Sequence, residues 1–352
     1  MSVIFVTGAS GFVGRDLVAQ FVEMGLSVKA LVRQRSDVLP VDVEQVLLDL
    51  ANLSTGLKDE ASFDFVQDDR ENLIQADRVE PVEEPLARLA MTLKQVEVVV
   101  HAAARAHIMR DEVADPLAEY RKLNRDATIA LARMAADAGV KRFVFVSSIK
   151  VNGEITRPGQ FFQAEIQQPP VDPYGLSKYE AEQGLLALAK ETGMEVVIIR
   201  PSLVYGSGVK GNFASMVNWV KKGIPLPLGS VHNLRSLVAL DNLVDFIALC
   251  ADREKSPRAA NEVFLISDGQ DVSTTELLRK VAKSQNKQAW LIPIPVWLMN
   301  FSAKMLGKGA VADRLFGNLQ VDSSKARDLL DWKPVVTMDE QLAKMAVADK
   351  SK

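Results

Sequence analysis

Val3-Ile-Phe-Val-Thr-Gly-Ala-Ser-Gly-Phe-Val-Gly14 is the stretch of sequence that decides the fold. Its first five residues, Val3 to Thr7, predict a short buried strand. The glycine-rich turn from Gly8 to Gly14 follows at once, and a helical pattern then runs from Arg15 to Met24 and stops at Gly25. Strand, glycine turn and helix in this order provide the context in which a loop binds a dinucleotide.

The glycine turn predicts a cofactor contact. Glycines permit a tight turn and a close approach of the backbone to a pyrophosphate, and the following helix offers free N–H groups at its N-terminus. The spacing is Gly-x-x-Gly-x-x-Gly, not Gly-x-Gly-x-x-Gly, and a glycine-rich turn without a ligand is the alternative. We expect the following residues of the turn to contact the cofactor: Gly8, Ser10, Gly11, Phe12, Val13 and Gly14.

The end of the second predicted strand, Ser27 to Arg33, bears on which nicotinamide cofactor is bound. An acidic residue there binds the ribose 2′-hydroxyl of NAD, whereas an arginine can accept the 2′-phosphate of NADP. The chain has Arg33 at this point and no acid before Asp37, so the residues favour NADP(H). The alternative is that Arg33 lies over the adenine.

A third strand is predicted from Val43 to Leu48, and Asp49 and Leu50 follow it. An aspartate in this position can hydrogen-bond the adenine amino group. Residues 51–94 form an atypical acid-rich insertion, which is typical of an extended surface loop with a short helix. This insertion leaves open whether Asp49 or Asp68 follows the third strand.

Strands and helices alternate over the first 200 residues, which implies an α/β fold with a doubly wound, parallel, Rossmann-like sheet. A predicted helix from Pro116 to Ala138 contains Asn124. Ligands of such sheets lie beyond the C-terminal ends of the strands, where the chain places His101 to Ala104, Ser148 and Arg200 to Gly206. Further strands are predicted at Val96 to Val100, Arg142 to Val146 and Glu195 to Ile199.

The composition of the chain changes after residue 200, where prolines and turns become more frequent and the predicted elements become shorter. We therefore expect a dinucleotide-binding domain at residues 1–200 and a smaller, α+β, mainly substrate-binding domain at residues 201–352. Parts of the second domain are expected to pack back on the Rossmann sheet.

Composition narrows the classes of function. The chain has 352 residues and a formal net charge of −3, so no strong electrostatic attraction to nucleic acid is expected. Its one cysteine, Cys250, cannot form an internal disulfide, and with three histidines a metal site is not expected. No secretory signal precedes Val3, which favours a cytoplasmic location. The apolar stretch Trp290 to Met305 is interpreted as a core or pocket-lining helix, with an interfacial membrane contact as the alternative.

Tyr174-Gly-Leu-Ser-Lys178 places a phenol and an ammonium four residues apart in a helix-favouring run, Tyr174 to Lys190. At this spacing the two side chains share one face of the helix. A cation beside a phenol favours the phenolate, which suits Tyr174 to proton transfer near neutral pH. For this pentapeptide alone, an exposed helix pair is the alternative.

Several motifs occur in a characteristic order along the chain. They are Thr7 to Gly14, Asp49-Leu50, His101-Ala-Ala, Ser147 to Gly153, Tyr174-x-x-x-Lys178, Arg200 to Gly206, Arg235 to Asp245 and Asp331 to Pro334. In these motifs the chain resembles the extended short-chain dehydrogenase/reductases, in the nucleotide-sugar epimerase/dehydratase group. Two stretches, Ser147 to Glu154 and His232 to Asp241, are similar to bacterial surface-polysaccharide enzymes that are UDP-glucose 4-epimerase-like or reduce UDP-4-keto-6-deoxy-N-acetylhexosamines.

The resemblance implies hydride transfer at C4 of a nucleotide sugar, with a UDP-sugar as substrate. Tyr174 would exchange a proton with the C4 hydroxyl, and Ser148 would hydrogen-bond the same oxygen. Lys178 would hold the nicotinamide ribose and favour the phenolate of Tyr174, while Asn124 would brace the site. Outside the glycine turn, the cofactor-binding residues would be Arg33, Asp49, Leu50, His101, Ala102, Ala103, Tyr174, Lys178 and Pro201.

The substrate's diphosphate is assigned to Asn212 and Arg235 by the same resemblance. A guanidinium fork pairs well with phosphate oxygens, which gives Arg235 a physical reason to be there. The alternative for Arg235 is a surface ion pair with Asp241 or Asp245. The resemblance further implies a homodimer formed through two helices per subunit, at Pro116 to Ala138 and Tyr174 to Lys190.

Departures from the family pattern bear on the reaction. Ile149 and Lys150 stand where the 4,6-dehydratases of this group have Asp-Glu, so dehydration is not expected. Asn152 replaces a usual tyrosine, which bears on the sugar pocket. Arg33 favours a 4-keto reductase with NADP(H), whereas overall similarity favours an epimerase with NAD.

Other readings stay open. A polyprenyl diphosphate could carry the sugar, which would give a peripheral membrane contact a purpose. A reductase of a non-sugar ketone and a non-catalytic dinucleotide sensor are the competing classes of function.

Overall fold

A computed structural model describes residues 2–53, 83–105, 115–305, 307 and 309–348. The described strands are β1 (Val3–Thr7), β2 (Ser27–Val32), β3 (Glu44–Leu47), β4 (Val98–His101), β5 (Arg142–Val146), β6 (Glu195–Pro201), β7 (Leu203–Tyr205), β8 (Leu237–Ala239) and β9 (Val263–Ile266). The described α-helices are α1 (Phe12–Glu23), α2 (Glu83–Leu93), α3 (Pro116–Arg121), α4 (Ala127–Asp137), α5 (Pro173–Thr192), α6 (Gly211–Lys221), α7 (Leu240–Ala251), α8 (Thr274–Ser284), α9 (Val296–Met305), α10 (Gly309–Phe316), α11 (Ser324–Leu330) and α12 (Met338–Ala348).

Seven strands form one sheet in the order β3-β2-β1-β4-β5-β6-β9. The chain builds outward from β1 to β3 on one side and from β4 to β6 on the other, so the order reverses between β1 and β4. Thr7, the last residue of β1, is level with Leu31 of β2 and with His101 of β4 in parallel pairing. This confirms the predicted doubly wound, Rossmann-like fold, and such a reversal is where ligands of open parallel sheets bind.

The sheet strands are apolar runs because helices cover both faces of a doubly wound sheet. In β4 every residue is buried, and in β5 only the last residue is partly exposed. Arg142 begins β5 with a fully buried side chain, and its guanidinium is paired with Glu195 at 2.7 Å. A charge at this depth requires such a partner, since burial of an unpaired ion is strongly unfavourable.

The chain divides into two compact units. The first comprises Met1–Phe143 and Glu180–Val196, and the second comprises Val144–Tyr179 and Val197–Lys352. The second unit holds its own apolar core and a two-stranded parallel sheet of β7 and β8. The predicted domain division at residue 200 stays a prediction.

The middle of the chain shows which aspartate follows the third strand. Asp49 follows the third strand, β3, after a single intervening residue. Asp68 and the greater part of the 51–94 insertion lie outside the described residues, and the described end of the insertion forms α2. The helix predicted from Pro116 to Ala138 is present as α3 and α4, joined by a π-helical turn at Lys122–Asp126.

Of the interpretation of Trp290 to Met305 as a core or pocket-lining helix, the core part is wrong, and the pocket-lining part stays a prediction. In α9 no residue is fully buried, and Trp297 is 71% exposed. Within the described part of the chain, no helix combines the length and apolarity that crossing a membrane requires.

Candidate active site

The glycine turn is built so closely that side chains are excluded from it. Gly8 has a φ of +69°, and a Cβ there would lie 2.7 Å from the backbone carbonyl carbon of Ala102. A Cβ on Gly14 would lie 2.0 Å from the Gly8 oxygen, which also accepts a hydrogen bond of 2.9 Å from the Gly11 N–H. The turn therefore needs glycine at these positions, and it leaves the first N–H groups of α1 available to an anion.

A cleft of about 470 Å³ opens over this turn, at the reversal of the strand order. Its volume suits a small-molecule ligand. Eight residues of the predicted cofactor set line it: Gly8, Ser10, Gly11, Arg33, Asp49, Leu50, Ala102 and Ala103. Apolar walls for an adenine, a carboxylate for its amino group and a glycine cradle for a pyrophosphate are together present, so the residues fit a dinucleotide.

A second concavity of about 600 Å³ adjoins the cleft and is polar. It shares Ser10, Arg33 and Asp49 with the cleft and adds Arg35 and Ser36. One oxygen of Asp49 accepts the N–H of Ala51 at 3.0 Å, which fixes the carboxylate at the end of β3. Two arginines in this position are compatible with a 2′-phosphate, which guanidinium groups bind well.

His101 is a brace within the first unit. The ring is 1% exposed, with Nδ1 2.7 Å from the Thr7 hydroxyl and Nε2 3.0 Å from the Thr128 hydroxyl. Thr128 donates its own proton to the Asn124 carbonyl at 2.9 Å, so Nε2 of a neutral His101 is the donor in this network. The side chain is thereby committed to internal hydrogen bonds, and His101 is not among the residues that line the cleft.

Asn124 is fully buried in the π-helical turn, a rare distortion that often marks functional sites. Its side-chain oxygen accepts the Arg105 N–H at 2.8 Å, and its amide donates to the Arg105 carbonyl at 3.2 Å. Arg105 lies in the segment that follows β4, and it lines the cleft. Asn124 thus holds the wall of the cleft in place, and its bracing role in catalysis stays a prediction.

The Tyr174 and Lys178 pair lies at the start of α5. Asp172 precedes the helix, and its carboxylate accepts the Gly175 N–H at 2.8 Å in the manner of an N-cap. Lys178 is 1% exposed, and its ammonium donates to the Val146 carbonyl at 2.9 Å and lies 4.2 Å from the centre of the Phe145 ring. Tyr174 is partly exposed. Since Lys178 is buried and held in place, Tyr174 and Lys178 are not the exposed helix pair that the sequence alone left as an alternative.

Ser148 lies two residues after β5 and caps the 3₁₀ turn Ile149–Val151, where its hydroxyl oxygen accepts the Lys150 N–H at 3.2 Å. Gly175 brings the start of α5 against this turn, because a Cβ on Gly175 would lie 2.5 Å from the Lys150 carbonyl oxygen. Sequence reasoning missed Gly175 as a site residue. The glycine directly after Tyr174 was its only signal.

The residues that depart from the family pattern have structural contacts in the second unit. Ile149 packs in a small core with Leu265. The Lys150 ammonium is paired with the Glu154 carboxylate. The Asn152 amide donates to the Gln163 carbonyl at 2.6 Å, and its oxygen accepts from the Arg200 guanidinium at 3.2 Å. Neither Ile149 nor Lys150 supplies a carboxylic acid for elimination of water.

The predicted diphosphate residues are also placed in the second unit. Arg235 is partly buried, its guanidinium donates to the Gly317 carbonyl at 3.1 Å, and burial lowers its pKa. The two carboxylates of the alternative reading have other partners: Asp241 pairs with Lys344 at 2.7 Å, and Asp245 accepts the Trp332 indole N–H at 2.8 Å. Asn212 lies exposed in the first turn of α6. Pro201 is the buried last residue of β6.

Comparison with known proteins gives a consistent result. A family model described as the NAD dependent epimerase/dehydratase family matches residues 4–266. A Vibrio cholerae protein named UDP-glucose 4-epimerase is 45% identical over 347 residues, which cover 98% of this chain and 94% of the relative. An Escherichia coli O157:H7 protein named N-acetyl-alpha-D-glucosaminyl-diphospho-ditrans,octacis-undecaprenol 4-epimerase is 28% identical over 56% of this chain and 57% of its own.

Solved structures agree with the fold. A Thermotoga maritima UDP-glucose 4-epimerase with UDP-glucose matches over 99% of both chains, with a TM-score of 0.72 and 22% identity. A Thermus thermophilus UDP-glucose 4-epimerase in complex with NAD matches over the same shares, with a TM-score of 0.72 and 20% identity. At such identities the likeness establishes the architecture.

Proposed function

Since the chain belongs to the NAD dependent epimerase/dehydratase family, we propose that it is an NAD-dependent 4-epimerase of a UDP-hexose or UDP-N-acetylhexosamine. The name of the Vibrio cholerae relative supports this reaction, because the two chains are 45% identical over almost their whole lengths. The NAD complex of the Thermus thermophilus protein supports the cofactor, since the two chains share their fold.

The observation that carries the proposal is the local frame around Tyr174. Ser148 and Lys178 are both fixed in the second unit, one by the turn after β5 and the other by the Val146 carbonyl. Gly175 allows the turn and the start of α5 to touch. A phenol, a hydroxyl and a buried ammonium on two adjoining elements are what proton transfer at a sugar hydroxyl requires.

In this proposal each residue has one task. Tyr174 takes the proton from the C4 hydroxyl and returns it to the C4 oxygen after the sugar has turned over as a 4-keto species. Ser148 hydrogen-bonds the same oxygen, and Lys178 keeps Tyr174 in the form that accepts a proton. NAD, when bound, supplies the hydride chemistry at C4. Arg235 and Asn212 hold the diphosphate of the substrate.

A 4-keto reductase is the second candidate, and one observation favours it. The concavity with Arg33 and Arg35 could accept the 2′-phosphate of NADP(H), which a reductase binds afresh in each cycle. Reduction of an apolar ketone is less well supported, because Arg235 would then have no phosphate to bind.

The test is to denature the purified protein, identify the released nucleotide, and assay the native protein with UDP-glucose and UDP-N-acetylglucosamine. An epimerase releases close to one NAD per chain and forms the 4-epimer without added cofactor. A protein without retained nucleotide that oxidises NADPH only with a UDP-4-keto-6-deoxy sugar would establish the reductase instead. Nucleotide binding without turnover of any of these sugars would overturn both.

The partners are part of the proposal. The helices named by the resemblance, α3 with α4 and α5, are the proposed interface of a homodimer. The name of the Escherichia coli relative supports a lipid-linked sugar as the alternative substrate class, and such a substrate would require a peripheral membrane contact.

A further inference from the structure

A group of large apolar side chains stands exposed on the second unit, and we call it the apolar patch. Trp290 is 63% exposed, Trp297 71%, Phe301 61% and Met305 74%. A soluble domain ordinarily leaves such residues at least partly covered, and a concentration of them marks an interaction surface. The apolar patch consists of Ile224, Trp290, Ile292, Trp297, Leu298, Phe301 and Met305.

The backbone under the apolar patch is held firmly. The Leu226 N–H donates to the Trp290 carbonyl at 2.8 Å, and the Ile292 N–H donates to the Leu226 carbonyl at 2.8 Å, so the two segments lie side by side. Gly229 also donates to the Ile292 carbonyl at 3.0 Å. The exposed rings are therefore presented by an ordered surface.

Helix α9 has an unusual division of its faces. Val296 and Met299 are partly buried against the core of the second unit. Trp297, Phe301 and Met305 follow at intervals of four residues, so they share a face of the helix, and all three are exposed. An ordinary surface helix presents polar residues to water on its outer face. This helix presents rings and a thioether.

The charged residues of the two chain segments that carry the apolar patch are all basic, although Asp313 lies just beyond the second segment. Residues 207–240 and residues 277–312 contain no aspartate or glutamate, although the whole chain has 45 acids and a net charge of −3. The same two segments contain ten basic residues: Lys210, Lys221, Lys222, Arg235, Arg279, Lys280, Lys283, Lys287, Lys304 and Lys308. The Lys287 ammonium contacts the Lys221 carbonyl, so these two lysines join the same two chain segments that pair at Leu226 and Trp290. Lys280 is engaged by Asp339.

We propose that the apolar patch docks the protein on the surface of a bilayer that contains anionic phospholipid. Tryptophan favours the headgroup region, and lysines beside it are attracted to lipid phosphates. Interfaces between proteins are instead depleted of lysine. The ten residues of α9 rise only about 15 Å, half of a hydrocarbon core of about 30 Å, so this helix lies in the interfacial plane. The inference goes beyond the proposed reaction and does not depend on it.

The experiment is co-sedimentation of the full-length protein with vesicles, without substrate. Vesicles of phosphatidylethanolamine with about one-third phosphatidylglycerol should carry down most of the protein, and phosphatidylcholine vesicles should carry down little. Salt at about 0.5 M should weaken binding several-fold because it screens the lysines. Tryptophan emission should shift to shorter wavelength when the anionic vesicles are added, since Trp290 and Trp297 leave water.

Two variants and their controls make the test specific. Trp297→Ser with Phe301→Ser should lower partition onto anionic vesicles at least about tenfold, because two ring burials are lost. Lys222→Glu with Lys304→Glu should lower it by a similar factor. Met91→Ser is the matched control for the rings, since Met91 is also 61% exposed and lies on α2. Lys94→Glu is the control for charge. Neither control should change binding, and circular dichroism should be unchanged in all four.

Three outcomes would overturn the proposal. The wild-type protein could stay in the supernatant with anionic vesicles, or the Met91 control could lose as much binding as the ring variant. The ring variant could also keep its vesicle binding while light scattering shows a smaller oligomer than the wild type. That last result would identify the apolar patch as a contact between copies of the chain. Epimerase activity is measured separately, so failure of docking leaves the proposed function standing.

Discussion

Lys178 illustrates how much is decided by a single side chain. Its ammonium is 1% exposed, and a buried ammonium is strongly unfavourable unless it is solvated by protein dipoles. The Val146 carbonyl at 2.9 Å and the Phe145 ring at 4.2 Å provide part of that solvation. Residues held in this way without an evident benefit to packing are typical of sites where charge is used in chemistry.

Replacement of Tyr174 by phenylalanine tests this interpretation at the same scale. Tyr174→Phe keeps the ring and removes the only atom that exchanges the proton, so turnover should fall by about 10² to 10⁴ while NAD stays bound. Tyr179→Phe is the matched control, because Tyr179 lies one residue after Lys178 in the same helix, and it should keep near-normal turnover. Unchanged epimerisation by the Tyr174 variant would remove Tyr174 from the catalytic residues.

At the scale of elements, the start of α5 and the turn after β5 act together. The contact depends on Gly175, since a Cβ there would lie 2.5 Å from the Lys150 carbonyl oxygen. Gly175→Ala should therefore displace the turn that carries Ser148 and lower turnover by about tenfold or more, because misplaced catalytic groups lose rate steeply. Gly309→Ala, where the nearest atom is a flexible Lys304 carbon at 3.9 Å, should be silent.

The measurement separates turnover from folding. Steady-state epimerisation and urea unfolding are recorded for the Gly175 and Gly309 variants side by side. A Gly175 variant with normal turnover would show that the turn can move without loss of activity. The close contact between the turn and the start of α5 would then not be needed for catalysis.

An ion pair between helices gives the fold a dependence on acid. The Arg121 guanidinium donates to the Glu180 carboxylate at 2.8 Å, and the Arg125 guanidinium donates to the same carboxylate at 3.3 Å. These two bonds join the segment around α3 to α5. The Arg121 hydrogen bond is the main cause that lowers the pKa of Glu180 below its usual value near 4.5. Since the folded pKa is the lower one, this stabilisation is present above pH 4.5 and is lost as the pH falls through the folded value.

Glu180→Gln should consequently lower the free energy of unfolding by about 1 kcal/mol at neutral pH, a magnitude typical of a partly exposed pair. The difference from wild type should shrink when urea unfolding is repeated well below pH 4.5. Glu119→Gln is the control, since Glu119 is exposed on α3. A gap that is equally large at both pH values would show that the loss comes from packing and not from the charge.

Some elements of the fold were predictable from the sequence and others were not. β1, the glycine turn and the Tyr174 helix were predictable because their signals are local: an apolar run, glycine spacing and a helical period. The tight contact of Gly175 with Lys150, the π-helical turn at Asn124 and the inward commitment of His101 were not, because each depends on a segment distant in the chain. The exposure of Trp297 was not predictable either, because an apolar sequence looks the same whether the protein's own core covers it or it faces outward.

On the scale of the whole molecule, cofactor binding should govern stability. The cleft belongs to the first unit and is lined by the glycine turn, by the end of β2, by the segments after β3 and β4, and by α3 with the π-helical turn. A ligand that binds only the folded state adds a free energy that grows with the logarithm of its concentration, about 2.7 kcal/mol at a hundredfold excess over Kd. Protein stripped of NAD should therefore melt several degrees below protein resupplied with NAD.

The Gly14→Ala variant tests whether NAD stabilises the protein by binding at the glycine turn. A Cβ on Gly14 would collide with the Gly8 oxygen at 2.0 Å, so the variant should bind NAD poorly and show the same melting temperature with and without it. Scanning calorimetry of both proteins, each with and without NAD, gives the four values needed. Equal NAD-induced shifts in wild type and variant would place the dinucleotide outside the cleft and would require a different cofactor site for the whole fold.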